Sequence, residues 1–543
     1  MKARVLLGAL LVASAAAYAQ KQTVCTITVN SPDEREVFRE HLPADRFDFV
    51  ELVERGRPDW LGAACRKATR CDVLLVSGHF AGTEFYSSRL HVDETLAVDE
   101  IERVACSESC PGLFAELKEV YLFGCDTLNP TPVRTATPEV ARSLEREGRT
   151  PEDSARGARE LAERHGGSAL DHMRRLFPNV PVIYGFSSKA PYGRVAGPML
   201  RRLFQSGGGD EFGSGRVSER LHRLFAPASM TVATGLRDSD AHADYRTEVC
   251  RYFDDRLSPA RKLAEIRATM VRSMAETRLT LDRIEKFFAG LGSVERSVAL
   301  FAAELDAFTA DRETRSRFLQ LTRDTDDPAV RVRLISLARM LGWLPQGEHR
   351  AELMRMVGDL LSASATGFGE VDLICTLNKD RDLDQERHRL SGVPFVKGRA
   401  ADAAMACLGD APSHARILRA LVSRDERDVQ IVQAYLRHRP IADESELRSV
   451  AFGVARMDGS GAQVRALETL ARQRIADREV LEELTRAFAR ATSLGVQRAI
   501  AEIFLRASYQ GTGDLASQLR RYRLRSSDGA DLIDTLIERL EQS

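Results

Sequence analysis

The chain has 543 residues, and its 78 Lys and Arg residues almost balance its 79 Asp and Glu residues, which gives a formal net charge of −1. This balance excludes the basic character typical of nucleic-acid-binding proteins, and it gives no reason to expect an anionic membrane surface as partner. At roughly 100–200 residues per domain, the length predicts two to four domains.

The N-terminus has the pattern of a secretory signal peptide. Lys2 and Arg4 form a short positive segment, and Val5–Ala17 is an uncharged, mostly apolar run. It ends at Ala17-Tyr18-Ala19, a small-x-small pattern that signal peptidase recognises, so we predict that residues 1–19 are removed. The run is shorter than the roughly 20 apolar residues of a membrane-spanning helix, and no later stretch qualifies. The mature protein is expected to be periplasmic or secreted, with no membrane span.

The cysteines point to the same compartment. In an oxidising environment cysteines tend to pair, and an odd number leaves at least one thiol over. Seven of the nine lie in the first 250 residues, so disulfides are expected to cross-link the N-terminal half. The sequence does not determine which cysteines pair. No His or Cys pair complements Cys106 and Cys110, so we predict disulfides there and no metal site. The nine are Cys25, Cys65, Cys71, Cys106, Cys110, Cys125, Cys250, Cys375 and Cys407.

From residue 20 to residue 235, short apolar runs alternate with amphipathic stretches. This alternation predicts an α/β domain with a mostly parallel sheet and helices on both of its faces. The polar, helical stretch Asp126–Asn179 is longer than a connection needs, and we expect it to be an insertion carried on the sheet. The predicted strands are Thr23–Val29, Phe47–Val53, Asp72–Val76, Glu119–Phe123 and Val180–Tyr184.

The pattern changes after a predicted linker at 236–257. Ser258-Pro259 opens a segment whose apolar residues recur with the 3.6-residue period of a helix. Strand signals nearly vanish from there on, so residues 258–543 are predicted to be all α. The polar stretch Leu373–Val396 is expected to be a long loop that interrupts this array.

Part of the helical region has a repeat signature. Asp327-Pro328 precedes Val330-Arg331 and an apolar helix that ends at Leu341-Gly342, and this arrangement resembles the HEAT repeat. Weaker copies begin near Arg427 and Gly495. We therefore predict a HEAT-like α-solenoid, in which stacked helical pairs bury their apolar faces on their neighbours. A non-repetitive helical bundle is the alternative.

Two short motifs follow directly on the third and fourth predicted strands. The first is Ser77-Gly78-His79-Phe80, and the second is Gly124-Cys125-Asp126-Thr127. Active sites of open parallel sheets form at the carboxyl ends of strands, so neighbouring strands would bring His79 and Cys125 together. A histidine beside a cysteine suits thiol catalysis, which needs a thiolate nucleophile and a proton donor for the leaving amine.

These residues also have structural interpretations. Cys125 is compatible with an inert buried cysteine or with half of a disulfide. Asp126 fits a solvated turn residue better than a contact for a basic substrate group. His165 precedes a glycine inside the insertion, and we interpret it as a surface helix end. The pairing of Cys125 with His79 is what favours catalysis.

The order of these elements resembles the caspase-like clan of cysteine peptidases, and within it the CHAT peptidases. In that clan an apolar strand ends at the catalytic histidine, and the next strand ends at the catalytic cysteine. A Leu-rich, acidic segment lies between them, here Leu90–Ile101. A further strand and an amphipathic helix follow, here Val180–Phe186 and Ala196–Phe204. The resemblance covers about Thr23–Gln205.

The resemblance implies a His79–Cys125 dyad, backbone groups at Gly78, Phe80 and Gly124 around the oxyanion, and no cofactor. The clan usually has glycine directly after the histidine, where this chain has Phe80. We therefore hold two hypotheses. The first is an exported cysteine endopeptidase for protein or peptide substrates, whose helical array binds a protein partner. The alternative is a catalytically inactive caspase-like domain on a HEAT-like scaffold, acting as a periplasmic protein-interaction module.

Overall fold

The computed structural model of the chain contains two compact units, Met1–Arg317 and Phe318–Ser543. The predicted signal peptide and the 90–94 part of the acidic segment lie outside the described residues, and the domain limits at 235 and 258 stay a prediction. The structure describes residues 21–30, 32–52, 61–87, 95–107, 110, 112–132, 137–165, 167–241, 243–254, 256–363, 366–458, 461–473, 475–507, 514–524 and 532–542.

The first unit is built on β-structure. Its described residues contain nine strands, β1 (Gln22–Thr28), β2 (Phe47–Glu51), β3 (Val73–Ser77), β4 (His79–Phe80), β5 (Glu84–Tyr86), β6 (Thr95–Ala97), β7 (Glu119–Phe123), β8 (Val182–Phe186) and β9 (Met230–Ala233). Six of them form one sheet in the order β2-β1-β3-β7-β8-β9, and β4-β5-β6 form a small second sheet. In the large sheet all neighbours pair in parallel except β8 and β9, which are antiparallel.

The predicted α/β domain with a mostly parallel sheet is confirmed. All five predicted strands are present in the large sheet. The sequence analysis missed β9 and the small sheet, because these strands are only two to four residues long and give no periodic signal. The small sheet matters for function, since β4 contains His79.

Side chains of the large sheet alternate between two cores. On β3, Leu74 and Val76 enter one core, whereas Val73 and Leu75 enter the core on the opposite face. Every residue of β3 and β7 is buried, as expected for central strands covered on both sides. This double burial is why both strands appear in the sequence as nearly continuous apolar runs.

Helices of the first unit cover the sheet and extend beyond it. They are α1 (Asp33–His41), α2 (Gly62–Arg66), α3 (Val98–Cys106), α4 (Thr137–Arg146), α5 (Pro151–Arg164), α6 (Ala169–Leu176), α7 (Gly193–Gln205), α8 (Glu219–Phe225), α9 (Ala243–Phe253), α10 (Pro259–Arg272), α11 (Met274–Leu279), α12 (Leu281–Gly290), α13 (Ser293–Ser297) and α14 (Ala299–Ala310). The predicted insertion holds α4, α5 and α6, and α4 packs on both α5 and α11.

Four disulfides account for eight of the nine cysteines. Three lie in the first unit, as expected for the N-terminal half, and the fourth, which was not predicted, lies in the second unit. They are Cys25–Cys71, Cys65–Cys110, Cys106–Cys250 and Cys375–Cys407. Disulfides persist in oxidising compartments, so this number of them indicates an extracytoplasmic environment.

The second unit is helical throughout its described residues. The boundary at residue 317 falls in α15 (Arg312–Asp324). The helices that follow are α16 (Pro328–Met340), α17 (Gln346–Ser362), α18 (Phe368–Leu377), α19 (Arg399–Cys407), α20 (Ala411–Ala420), α21 (Glu426–His438), α22 (Glu444–Ala455), α23 (Gly461–Leu470), α24 (Arg478–Arg490), α25 (Leu494–Arg506), α26 (Asp514–Tyr522) and α27 (Leu532–Gln542).

These helices form a two-layered array. From α21 onward each helix packs on the helix two positions along: α21, α23, α25 and α27 form one row, and α22, α24 and α26 form another. The predicted all-α array of stacked helices is therefore confirmed. The loop predicted at Leu373–Val396 is only partly one, because it includes the end of α18 and a 3₁₀ helix at Asp384–Leu390. None of the described helices is long and apolar enough to cross a membrane.

Candidate functional site

The parallel sheet brings the two predicted motifs to one edge. β3 and β7 are adjacent and parallel, with Ser77 opposite Phe123 at their last pair. His79 follows β3 after one residue, and Cys125 follows β7 after one residue. Both side chains line one cavity of about 260 Å³ beyond the carboxyl ends of these strands.

A close backbone contact holds the two motifs together. A side chain at Gly124 would place its Cβ 2.8 Å from the carbonyl oxygen of Gly78 and 3.1 Å from the Cβ of Phe80. The first distance is below any real Cβ contact, so only glycine fits there. The N–H of Gly78 donates to the carbonyl of Phe123 at 3.1 Å, so it extends the β-ladder. This N–H is therefore hydrogen-bonded within the sheet, whereas the sequence had predicted a place for it near the oxyanion.

His79 sits between two tyrosines. Its ring centroid lies 5.4 Å from that of Tyr86 and 5.9 Å from that of Tyr192. Its Nε2 atom is buried and has no hydrogen-bond partner among the described residues. Buried polar atoms are nearly always paired, so an unpartnered nitrogen facing a cavity suggests a role with a ligand or substrate.

Cys125 is the one cysteine of the nine that forms no disulfide, and all nine are described. Its side chain is only partly buried, and the backbone N–H of Ala190 donates to its sulfur at 3.3 Å. The following residue, Asp126, has a positive φ of 58°, which gives the chain a sharp turn directly after the cysteine. The Asp126 side chain is exposed and accepts from the amide of Asn129, as expected of a turn residue.

Phe80, which directly follows His79, has a structural role. It belongs to β4, which pairs with β5, and its ring packs against Phe85 with centroids 4.9 Å apart. Phe80 is buried in the same core as Leu74 and Val76. The residue therefore anchors the small sheet that carries His79.

Glu34 is a site residue that the sequence analysis missed. It lies in the first turn of α1, is 2% exposed, and lines the same cavity. The hydroxyl of Ser77 donates to its carboxyl group at 2.8 Å. Burial raises the pKa of Glu34 to about 7, against the lowering effects of its backbone hydrogen bond and of Ser77. In the sequence it is an acid in the first turn of a helix, which the helix dipole already explains.

The opposite wall of the cavity comes from the segment before α7. Ala190, Pro191 and Tyr192 line it, and α7 begins at Gly193. Lys189 adds an exposed positive charge, and the side chain of Tyr192 is 60% exposed. The cavity thus combines a thiol, an imidazole, a buried carboxyl group and a rim that is partly open to solvent.

Comparisons with known proteins identify no relative of this chain. The chain matches no family model, no curated protein and no solved structure. Its function has to be inferred from the residues of the site.

Proposed function

We propose that the protein is an exported cysteine endopeptidase of the caspase-like kind. The observation that carries the proposal is the cavity shared by Cys125, which forms no disulfide, and by His79, whose Nε2 is buried without a partner. A free thiol is unusual in a chain whose other eight cysteines are paired, and nucleophilic catalysis explains why one is kept reduced. The disulfides support a periplasmic or secreted location.

The reaction follows from the two side chains. The Cys125 thiolate attacks the carbonyl carbon of the peptide bond, and the carbonyl π electrons move to its oxygen. When this tetrahedral species collapses, the C–N bond breaks and His79 gives a proton to the leaving amine. Water then attacks the thioester and the imidazole accepts its proton; the C–S bond breaks, the acid product leaves, and the Cys125 thiolate and the protonated His79 are restored. The cavity supplies these steps without a cofactor.

The buried carboxyl group favours substrates with a basic side chain. Glu34 is the acidic side chain among the described lining residues, and Asp126 is committed to its turn. A Lys or Arg side chain next to the cleaved bond would give this buried acid an ion partner and favour its carboxylate form. We therefore expect cleavage after Lys or Arg in preference to Asp or Leu.

The test combines thiol labelling with peptide cleavage. The folded, non-reduced protein is treated with iodoacetamide, and the labelled cysteine is mapped by mass spectrometry. We expect rapid labelling at Cys125 that slows in His79→Ala, and release of a fluorophore from Lys or Arg peptides that Cys125→Ser abolishes. If Cys125 stays unlabelled until the protein unfolds, the peptidase proposal is wrong.

The alternative, a non-catalytic interaction module, is favoured by two observations around the histidine. Phe80 stands where the clan has glycine, and the N–H of Gly78 is used by the sheet. In that case the helical array would carry the function by binding a protein. A folded Cys125 that labels readily while no peptide in a diverse library is cut would favour this alternative.

A further inference from the structure

A second cavity in the first unit is separate from the one that holds Cys125. It measures about 90 Å³ and is lined by residues of α9 to α12 together with His165. His165 caps the C-terminal end of α5, as predicted, but it is not a simple surface residue. Its Nδ1 lies 2.7 Å from the hydroxyl oxygen of Tyr245, and Arg283 Nη1 donates to the same oxygen at 2.7 Å. All three residues line the cavity.

Tyr245 is surrounded by positive charge. Its ring centroid lies 5.7 Å, 5.5 Å and 5.6 Å from the guanidinium carbons of Arg164, Arg175 and Arg283. The tyrosine itself is 2% exposed, so the three cations meet around a buried ring. Cation–π contacts of this kind hold arginines in place but leave their charge uncompensated.

Ion pairs reach two of the three arginines. Arg283 Nη2 lies 3.7 Å from the buried Glu102. Arg164 pairs with Glu248 and lies 3.5 Å from Asp244. Arg175 is 8% exposed and has no ion pair among the described residues. Unpartnered Nε atoms, again among the described residues, occur on Arg164, Arg175 and Arg283.

The pKa values of two neighbouring histidines are lowered in part by the same arginines. Burial, and then the charges of Arg283, Arg175 and Arg164, lower the pKa of His165 to about 3. His172 has a pKa lowered to about 3 by burial and by two of the same arginines. Both imidazoles are therefore neutral at physiological pH, and they add no charge to the arginine cluster.

We propose that the cavity next to Tyr245 and Arg283 binds a small oxyanion, a carboxylate or a phosphate. Arginine donors in a partly desolvated pocket are the usual partners of such groups, since the planar guanidinium can donate two hydrogen bonds at once. The acidic residues of the lining do not oppose this, because each of them pairs with an arginine. These pairs are Glu248 with Arg164, Glu265 with Arg261, and Glu276 with Arg272.

Calorimetric titration of the full-length protein tests the proposal. Sodium phosphate and sodium acetate are titrated separately, with sodium chloride at equal ionic strength as the reference. Arg283→Gln removes the central cation, and Arg251→Gln removes an exposed lining residue without disturbing the buried cluster. Arg256→Gln is the matched control, because Arg256 is exposed and neither it nor its ion-pair partner Asp254 lines the cavity.

We expect phosphate or acetate to bind the wild type, with dissociation constants about tenfold higher in Arg251→Gln, as for one lost charged hydrogen bond. Arg283→Gln should lose binding and Arg256→Gln should keep it. Tighter phosphate than acetate binding identifies a tetrahedral anion, and the reverse identifies a carboxylate. Binding should also raise the pKa of His165, measured by NMR, since the anion offsets the arginines. If neither salt binds, or if Arg251→Gln and Arg283→Gln bind like the wild type, the proposal is wrong.

Discussion

The two units start their helices with different chemistry. In the first unit five helices begin at a hydroxyl side chain that accepts a backbone N–H, and these residues are Thr150, Ser168, Ser218, Ser258 and Ser273. In the second unit the corresponding residues are aspartates, namely Asp327, Asp410, Asp425, Asp443 and Asp477. Both residue types satisfy the unpaired N–H groups of a helix start, but only aspartate carries a charge that interacts with the helix dipole.

Two carboxyl groups, one in each unit, should respond to pH in opposite ways. In the second unit, burial tends to raise the pKa of Asp477, but its hydrogen bonds from Val480 and Arg448 prevail and lower it. Its ionised form therefore stabilises the fold, and that stability is lost as pH falls through the lowered pKa. Glu34 in the first unit has a raised pKa, so its contribution is present at low pH and is lost as pH rises through about 7.

The largest effect should come from the dyad. Cys125→Ala or His79→Ala should lower peptide cleavage at least about 10⁴-fold, as for other enzymes that lose a nucleophile or its partner. Thermal stability should change little, because the Nε2 atom of His79 has no hydrogen-bond partner among the described residues and the Cys125 sulfur accepts a hydrogen bond only from Ala190 among them. The measurements are kcat/KM on a fluorogenic peptide and circular dichroism melting. Retained cleavage in Cys125→Ala would assign the activity to another nucleophile.

The disulfides of the two units should contribute different free energies to the stability of the folded protein. Cys106–Cys250 joins residues 144 apart, and Cys375–Cys407 joins residues 32 apart. Chain entropy predicts losses of about 5 and about 4 kcal/mol when each pair is replaced by alanine. Hydrogen exchange followed by mass spectrometry reports the stability of each unit separately. If the shorter loop contributes more, then the second unit depends on its disulfide for reasons other than loop closure.

Replacing Glu34 should separate its role in substrate preference from its cost to the stability of the fold. The raised pKa corresponds to a penalty on the order of 3 kcal/mol above pH 7, which Glu34→Gln would remove. The variant should therefore be more stable than the wild type at pH 8, and equally stable near pH 4. At the same time it should lose the preference for Lys and Arg peptides. Thermal melts across this pH range and cleavage assays at pH 8 measure the two effects.

A control variant on the same helix tests this interpretation of Glu34. Glu36 lies on the same helix but is exposed, so Glu36→Gln should leave both the pH dependence and the peptide preference unchanged. If Glu34→Gln is destabilising at pH 8, the carboxylate is already partnered in the folded protein, and its role in substrate binding would need another explanation.

The sequence predicted those parts of the fold that repeat a local pattern. The central strands β3 and β7 are buried on both faces, so they appear as apolar runs whose limits the sequence analysis found within one residue. The helix at Pro328 was found because Asp327 caps it in a recognisable motif. β9 and the small sheet depend on partners far along the chain, which no local pattern encodes.

The same distinction applies to the two cavities. His79 and Cys125 follow strong strand signals, so their shared edge of the sheet could be inferred. Glu34 could not, because an acid in the first turn of α1 is ordinary in sequence and unusual only through its burial. The arginine cluster was missed because Arg164, Arg175 and Arg283 belong to three helices whose meeting point depends on tertiary packing.

The smallest predicted effect tests the difference between the helix caps. Asp477 accepts the N–H groups of Glu479 at 2.9 Å and Val480 at 3.1 Å, so Asp477→Ala should destabilise α24 by about 1 kcal/mol at pH 7. The matched variant is Ser258→Ala, which removes the cap of α10, where the hydroxyl accepts from Arg261 at 3.3 Å. Its effect should be of similar size near neutral pH.

The pH dependence then distinguishes the two caps. Because the folded pKa of Asp477 is lowered, the stability it provides should disappear as pH falls below about 4, the usual aspartate value. The difference between wild type and Asp477→Ala should therefore shrink as pH falls from about 4 through the lowered folded pKa, whereas that for Ser258→Ala should stay constant, since a hydroxyl does not titrate there. Amide protection in α24 and α10, corrected for intrinsic exchange rates, measures both. A constant effect for Asp477→Ala would mean that this aspartate caps by geometry alone, and that the charge difference between the units has no consequence for stability.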